Sequence, residues 1–284
     1  MGKSVVVTGA NSGIGLATAL ELSRVGYDVI GTARTEAKAR HLHDAAADRG
    51  VTVHSVLMDV ADEEETRLAF DEIDQLTDGG PWAVVNNAGF AQSGAVEDVS
   101  VEDARYQLEV NLVAPARIAQ LVLPRMRERG DGRIVNISSI AGRVSSPLTG
   151  WYGASKHGLE SLSDSLRMEV ARFGVKVVLI EPGGFGTGIW EGGHDRLPTD
   201  EASPYADVYD RARAWTRRGS SMFDPIWVAR VIRIALRSPK PLPRYLVGAD
   251  AVGLTLTDLA PTAVTDLVKR RAARLTRAPR PEAD

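Results

Sequence analysis

The chain has 284 residues, 44% hydrophobic and 25% charged, with a net charge of −3. That length suits one large domain or two small ones with a well-buried core, and the slight negative charge argues against a nucleic-acid binder. The absence of cysteine excludes disulfides and thiolate metal sites and suits a cytoplasmic protein. No run approaches the roughly 18 apolar residues of a membrane span. The N-terminus passes from Gly2-Lys3 straight into a strand pattern, so no signal peptide is expected. The histidines (41, 43, 54, 157, 194) form no H-E-x-x-H pair, and no metal site is expected.

Short apolar runs, each entered from a glycine breaker, recur along the chain after the opening one. Ser4–Val7 is the first. Asp28–Ile30, Val51–Leu57, Trp82–Val85, Arg133–Ile137 and Val175–Ile180 follow, and Tyr245–Val247 reads as a last strand. Nearly continuous apolar runs suit strands buried on both faces of a parallel sheet. Helix-period segments lie between them: Ile14–Val25, Glu63–Leu76, and a long one over Val101–Met126 with Ser100 as its N-cap. After Tyr152, the residues Leu159, Leu162, Leu166 and Val170 form one apolar stripe that stops at Gly174. Strand–helix alternation predicts a doubly wound α/β fold with helices on both faces. Residues 184–223 read as a long loop, a substrate lid. Asp224-Pro225 reads as N-cap and N1 of a helix through about Leu236. Thr257–Leu275 is a further expected helix, with a disordered tail over 277–284.

The motifs sit at strand ends. Thr8-Gly9-Ala10-Asn11-Ser12-Gly13-Ile14-Gly15 joins the first strand to the first helix. Its glycines allow close approach of a pyrophosphate, which the helix N-terminus would attract. The spacing is G-x-x-x-G-x-G, not the G-x-G-x-x-G dinucleotide fingerprint, so a plain glycine turn is the alternative. Arg34 ends the second strand, where a cation accommodates a 2′-phosphate and an acid would bind the 2′-hydroxyl. NADP(H) is therefore expected over NAD(H). Asp59-Val60 follows the third strand, and that carboxylate could accept from an adenine amino group. Asn86-Asn87-Ala88-Gly89 follows the fourth and suits backbone contact with a flat ligand, or an Asx turn. Asn111 interrupts a helix that would rather not hold it. Pro182-Gly183-Gly184-Phe185-Gly186-Thr187 ends the sixth strand at the edge of a cleft. Tyr152 and Lys156 are four apart, which stacks them on one helix face. A positive neighbour lowers a phenol's pKa, making the pair a tuned acid/base, with a chance sharing of one helix face as the alternative for the pair alone; a strand ending near Ile137 would aim Ser139 at the same point.

Together these elements resemble the short-chain dehydrogenase/reductase family. The matching set is T-G-x-x-x-G-I-G (Thr8 to Gly15), Asp59, N-N-A-G (86–89), Asn111, Ser139, Y-x-x-x-K (Tyr152, Lys156) and P-G-x-x-x-T (Pro182 to Thr187), spanning roughly residues 3 to 190. The resemblance implies a single Rossmann-like domain over 1–284 with a seven-stranded parallel sheet. It implies hydride transfer between NAD(P) and a carbonyl or alcohol carbon. Tyr152 would be the general acid/base. Lys156 would lower its pKa and hold the nicotinamide ribose. Ser139 would orient the substrate oxygen, Asn111 would anchor a water linked to Lys156, and Thr187 would contact the carboxamide. Gly9, Asn11, Ser12, Gly13, Ile14, Gly15, Arg34, Asp59, Val60, Asn87, Ala88, Gly89, Pro182 and Gly183 would hold the cofactor with them. Some NADP-preferring members carry a second basic residue before the middle glycine of the turn, where this chain has Ser12. The stretch around Tyr152 looks most like members acting on hydroxysteroids and retinol, and a homodimer or homotetramer is implied.

The substrate wall is expected from Phe90–Val96, Val144–Trp151 and the lid, whose Trp190, Tyr205, Tyr209, Trp215 and Phe223 suit an apolar substrate or simply pack the lid down. The basic cluster Lys269-Arg270-Arg271 with Arg274, Arg277 and Arg280 reads as a solvated helix end favoured by the dipole; peripheral contact with an anionic membrane is the alternative. A second functional reading is a catalytically silent NADP(H)-sensing protein, which would need no proton donor. A third is a structural role in a larger assembly.

Overall fold

Seven parallel strands form the centre of the protein: β1 (Ser4–Val7), β2 (Asp28–Ala33), β3 (His54–Leu57), β4 (Ala83–Asn86), β5 (Gly132–Ile137), β6 (Val175–Pro182) and β7 (Arg244–Val247). Their order is β3-β2-β1-β4-β5-β6-β7, every neighbouring pair parallel. The computed structural model describes residues 2–183, 196–200, 202–217, 224–248, 251, 253, 255, 260–273 and 275. The chain reverses its direction of travel across the sheet between β1 and β4, which opens a crevice at the carboxyl ends of those strands.

Side-chain alternation along each strand separates two cores. Val5 and Val7 face one side, where α1 (Gly13–Arg24), α2 (Glu36–Ala47) and a late helix α8 (Ile226–Arg237) bury Leu22, Leu42, Val228 and Ile232. Val6 faces the other side. There α3 (Glu63–Thr77), α5 (Ala114–Arg129) and α6 (Gly150–Val170) bury Phe70, Ile73, Ile118, Val122 and Val170. The caps are local and specific: Thr35, Asp62 and Ser100 accept from the backbone N–H three residues on, opening α2, α3 and α4 (Val101–Leu108).

The structure departs from the sequence reading at several points. The helix expected over Val101–Met126 is divided: α4 ends at Leu108, a π-helical turn occupies Glu109–Val113, and α5 continues to Arg129. Such a turn widens the helix by one residue, and such widenings cluster at functional sites; Asn111 lies within it. The stretch expected as a lid loop contains a helix, α7 (Ala206–Arg217). Leu162 lies outward, while the buried face of α6 carries Tyr152, Ser155, Lys156, Leu159, Glu160 and Ser163. The third strand begins at His54, later than Val51. Pro225, not Asp224, occupies the cap of α8, and the Asp224 carboxylate accepts from Ile226 N at 2.8 Å. Pro261 caps α9 (Thr262–Ala272), whose last turn holds Lys269, Arg270 and Arg271. Residues 257–259 and 277–284 lie outside the described residues. Among the described residues no helix is long and apolar enough to cross a membrane.

Gly174 ends the α6 region with φ +77°, and a Cβ there would stand 2.1 Å from the Gly130 carbonyl oxygen. Gly174→Ala therefore combines a left-handed penalty of roughly 1–2 kcal/mol with a backbone clash. Urea denaturation should show a loss of at least that size, with the fold otherwise retained.

Candidate active site

The crevice is a groove of about 390 Å³ at the strand ends. Its floor is made by one mutual clamp. Thr8 Oγ1 accepts from the backbone N–H groups of Asn87 and Ala88, both at 2.9 Å, and Asn87 Nδ2 donates back to the Thr8 carbonyl at 2.9 Å. Gly9 (φ +64°) and Gly13 (φ +52°) take the left-handed conformations that shape the turn. Ser12 is the N-cap of α1, yet no side chain caps that end and no acidic residue sits in its first turn. Unbonded N–H groups and a positive dipole end therefore face the groove, and this donor set fits a phosphate-bearing dinucleotide.

Most of the predicted cofactor residues line this groove: Gly9, Asn11, Ser12, Gly13, Ile14, Arg34, Asp59, Val60, Asn87, Ala88, Gly89, Pro182 and Gly183. Gly15 does not. A Cβ at that position would lie 2.3 Å from the Gly9 carbonyl oxygen and 2.5 Å from Asn87 Nδ2, so Gly15 lets α1 pass close beneath the turn. Asp59 has work besides any ligand: its Oδ1 accepts from Ala61 N at 3.0 Å, and its Oδ2 stands 3.9 Å from Arg34. Thr187, Trp190 and Phe223 lie outside the described residues.

Ser139, Tyr152 and Lys156 meet at the other end of the groove and line it. β5 runs out just before Ser139, and α6 presents Tyr152 and Lys156 one turn apart. The Ser139 side chain hydrogen-bonds the Tyr152 phenol, and its Oγ accepts from Ala141 N at 3.1 Å. Tyr152 is 3% exposed and Lys156 5% exposed. Lys156 Nζ donates to the Ile137 carbonyl at 2.8 Å and stands 5.9 Å from the Tyr152 ring centroid.

The net direction at Tyr152 is upward, set by its burial. Burial dominates both groups. It pushes the Tyr152 phenol up to about 12, against a smaller lowering by the Ser139 hydrogen bond. It pulls Lys156 down to about 8, against an opposing pull from the Glu160 carboxylate. Desolvation penalises whichever form is charged, and the ammonium donates to the Ile137 carbonyl. At neutral pH this leaves a protonated phenol beside a protonated lysine.

Asn111 does not line the groove. Its Oδ1 accepts from Phe90 N at 3.2 Å, and its Nδ2 donates to the Phe90 carbonyl at 2.9 Å and Ser155 Oγ at 3.1 Å. It therefore braces the turn after Gly89 against α6. The other unexpected feature is the wall. Tyr106 packs tilted against Phe90 at 5.3 Å between centroids, Arg196 lies over the Phe90 ring at 4.3 Å, and Arg34 Nη1 reaches Tyr106 Oη at 3.5 Å. Lys38, in the first turn of α2, lines the same groove as Arg34. A lysine four residues after Arg34, behind a Thr35 cap, was the sequence signal for that cation. Tyr106 and Arg196 carried none. Tyr205 and Tyr209 pack rather than line: Tyr209 Oη and Ser203 Oγ both reach Asp98 Oδ2 at 2.5 Å, and Tyr205 Oη reaches Glu97 at 2.5 Å.

Fold and groove together define a nucleotide-binding α/β protein with a serine–tyrosine–lysine cluster at the end of its site. The chain matches the family model described as short chain dehydrogenase over residues 3–196. It is 36% identical to the uncharacterized oxidoreductase YusZ of Bacillus subtilis, covering 89% of this chain and 91% of that one. It is 35% identical to retinol dehydrogenase 7 of Mus musculus, covering 88% and 81%. The crystal structure of a short-chain dehydrogenase from Streptomyces avermitilis superposes with a TM-score of 0.79 at 34% identity, covering 96% and 97%. The chain belongs to the short-chain dehydrogenase/reductase family, oxidoreductases acting on CH–OH donors with NAD(P) as acceptor.

Two measurements probe this geometry. Gly15→Ala should weaken nicotinamide nucleotide binding at least about tenfold by fluorescence titration, because the added methyl must displace the Gly9–Asn87 clamp; a tenfold loss is about 1.4 kcal/mol. The second concerns pH. Lys156 titrates at about 8 in the fold against an ordinary 10.5, so between those values the unfolded chain holds a proton that the folded chain lacks. Stability contributed by Lys156 therefore rises with pH across that window. Melting scans from pH 7 to 10 should show wild type gaining on Lys156→Met. The scan stops at pH 10 because the raised Tyr152 reverses the slope above it.

Proposed function

We propose that the protein interconverts a carbonyl compound and its primary or secondary alcohol, with Tyr152 as general acid/base and NADP(H) as the preferred cofactor. The observation that carries this reading is the convergence of Ser139, Tyr152 and Lys156 on one groove that also receives the open N-terminus of α1 and the cations Arg34 and Lys38. When bound, the nicotinamide ring supplies or accepts the hydride. The α1 N-terminus and Gly9 to Ile14 would hold the diphosphate, Arg34 and Lys38 a 2′-phosphate, and Lys156 the nicotinamide ribose hydroxyls.

In the reductive direction negative charge grows on the substrate oxygen. Ser139 Oγ and Tyr152 Oη stabilise it with hydrogen bonds aimed at that position, and Tyr152 Oη gives up the proton. A phenol raised to about 12 stays protonated at neutral pH and is ready to act as the acid. In the reverse direction Ser139 holds the alcohol oxygen while the Tyr152 phenolate, supported by the Lys156 ammonium, takes its proton. The low exposure of Tyr152 keeps water from competing for that oxygen. Asn111 would position Phe90 and α6 rather than touch substrate. The likeness to a retinol dehydrogenase supports a bulky apolar substrate.

Tyr152→Phe should retain NADPH affinity within about threefold and lose several orders of magnitude in turnover, because it removes the only group assigned to move the proton. The assay is NADPH oxidation over retinoid, steroid, quinone and small polar carbonyls, with NADH as control; turnover close to wild type in the mutant would end the assignment. Arg34→Ala should raise KM for NADPH at least about tenfold while leaving that for NADH nearly unchanged, since only the 2′-phosphate differs.

A further inference from the structure

The buried face of α6 carries a third titratable group in line with the proposed acid/base pair. Tyr152, Lys156 and Glu160 are spaced i, i+4, i+8, about 6 Å of helix per step, and Glu160 is only 7% exposed. A carboxylate in that position is costly unless it is paired. One of its oxygens is: Oε2 accepts from Arg244 Nε at 3.0 Å. The other, Oε1, is buried without a hydrogen-bond partner among the described residues. Pairing with Arg244 therefore explains only half of the group. Gly142 makes room for it on the site side: a Cβ there would meet Glu160 Cγ at 3.0 Å, Ser138 Oγ at 2.8 Å and the Lys156 carbonyl at 3.2 Å. The Glu160 side chain thus passes Gly142 alongside Ser138, the residue before Ser139.

The other charges nearby are committed elsewhere. Glu181, fully buried on β6, is bridged by Arg143 at 2.7 Å and by Arg244 at 3.2 Å. Asp164 takes Arg167 at 2.7 Å and Arg244 at 2.6 Å. On the remaining sides of Lys156, β5 offers the Ile137 carbonyl, the segment after it offers Ser139, and the π turn offers Asn111 through Ser155; none of these titrates near neutral pH. Tyr152 is a neutral phenol there.

We propose that Glu160 is a positioning residue whose carboxylate keeps the buried Lys156 protonated, so that an ammonium stands beside Tyr152 during turnover. Two effects compete at Lys156. Burial alone drives a lysine toward neutrality, and a carboxylate nearby opposes it. A neutral Lys156 would keep its place against Ile137 but would lose the positive charge that favours the phenolate. Glu160 is the group set against burial at Lys156, and it lies within the same helix face. Its consequence for turnover rests on the oxidoreductase reading above; its effect on the Lys156 titration does not.

The experiment follows the Lys156 ε-carbon by 13C-lysine NMR across pH 5 to 11, the signal assigned by its loss in Lys156→Met. The pH profile of kcat/KM for NADPH-dependent carbonyl reduction and the melting temperature are measured on the same variants. Glu160→Gln keeps an oxygen for Arg244 and removes the charge. It should move the Lys156 midpoint down by about one pH unit or more, with the alkaline fall in kcat/KM moving by the same amount. Glu160→Asp keeps the charge one methylene further back and should fall between wild type and Glu160→Gln, so it carries the test alone if the glutamine variant does not fold. Glu181→Gln, which breaks the same ionic network from β6, should lower the melting temperature and leave the midpoint in place. A Lys156 midpoint unmoved in both Glu160 variants, or moved equally by Glu181→Gln, would overturn the proposal and leave Glu160 a purely structural partner of Arg244. An active-site failure reads differently: a wild type that oxidises no NADPH would sink the reductase reading, while the titration would still decide the role of Glu160.

Discussion

The bond from the Lys156 ammonium to the Ile137 carbonyl fixes how α6 meets the sheet. Ile137 is the last residue of β5, so its carbonyl has no further strand partner to satisfy. The lysine supplies one, and in doing so pulls the first turns of α6 over the mouth of the groove. Tyr152, one turn earlier, is then held against Ser139, which follows β5 by only two positions. A second tie lies deeper: Asn86 Nδ2 donates to Asn136 Oδ1, and Asn136 Nδ2 to Ser163 Oγ, each at 2.8 Å. That chain joins β4, β5 and α6 by polar contacts in a place where an apolar stripe would have packed more cheaply. The polar face of α6 is consequently less stabilising than a run of leucines, and more specific in where it sets the helix.

This explains what was readable in the residues. The strands were legible because β-branched runs such as Ser4–Val7 and Val175–Ile180 are buried on both faces, leaving an unbroken apolar signal between glycines. The groove residues were legible because strand ends converge at the reversal of sheet order. Of the stripe on α6, Leu159 and Val170 are buried and Leu166 packs against the core, while Leu162 lies outward, because the buried face is shared with Lys156, Glu160 and Ser163. α2 was silent because its buried face is only Ala39, Leu42 and Ala46, small residues that leave a thin periodic trace. The π turn at Glu109–Val113 has no residue code beyond an ill-suited Asn111; it arises because that side chain bonds Phe90 and Ser155, which only the assembled fold brings within reach.

The stretch from Arg196 to Arg217 shows the same limit from another side. Its aromatics suited an apolar pocket on composition alone. In the fold, Tyr209 is buried with Ala95 and Leu197 in a small separate core, its hydroxyl shared between Asp98 and the Ala95 N–H. Burial pushes that phenol up to about 12, with the Asp98 hydrogen bond adding to the effect, so the donor is retained at any ordinary pH. Arg213 reinforces the attachment by donating to the Pro198 carbonyl at 2.6 Å. The loop after β4 is thus held twice, from below by Asn111 and Gln107 and from above by α7. Phe90, between those two anchors, is left with little freedom to move away from the groove.

The cations of the groove divide by burial, and burial decides what each can do. Arg34 is 52% exposed on its side chain and already 3.9 Å from the Asp59 carboxylate. Solvent screens it, and a pair of that kind contributes little by itself. In the proposed NADP(H) preference its part would be discrimination: a doubly charged 2′-phosphate would outcompete the distant carboxylate, whereas a neutral hydroxyl would not. Lys156 is the opposite case, nearly water-free, where each neighbouring charge acts at close to full strength and where the lysine's own protonation is in question. A recognition cation can afford exposure because it needs only to be present. In the proposed role of Lys156, a cation that tunes a phenol has to be buried to act, and once buried it would depend on another charge to remain a cation. On this argument the carboxylate one turn beyond Lys156 follows from placing the lysine where it can influence Tyr152 at all.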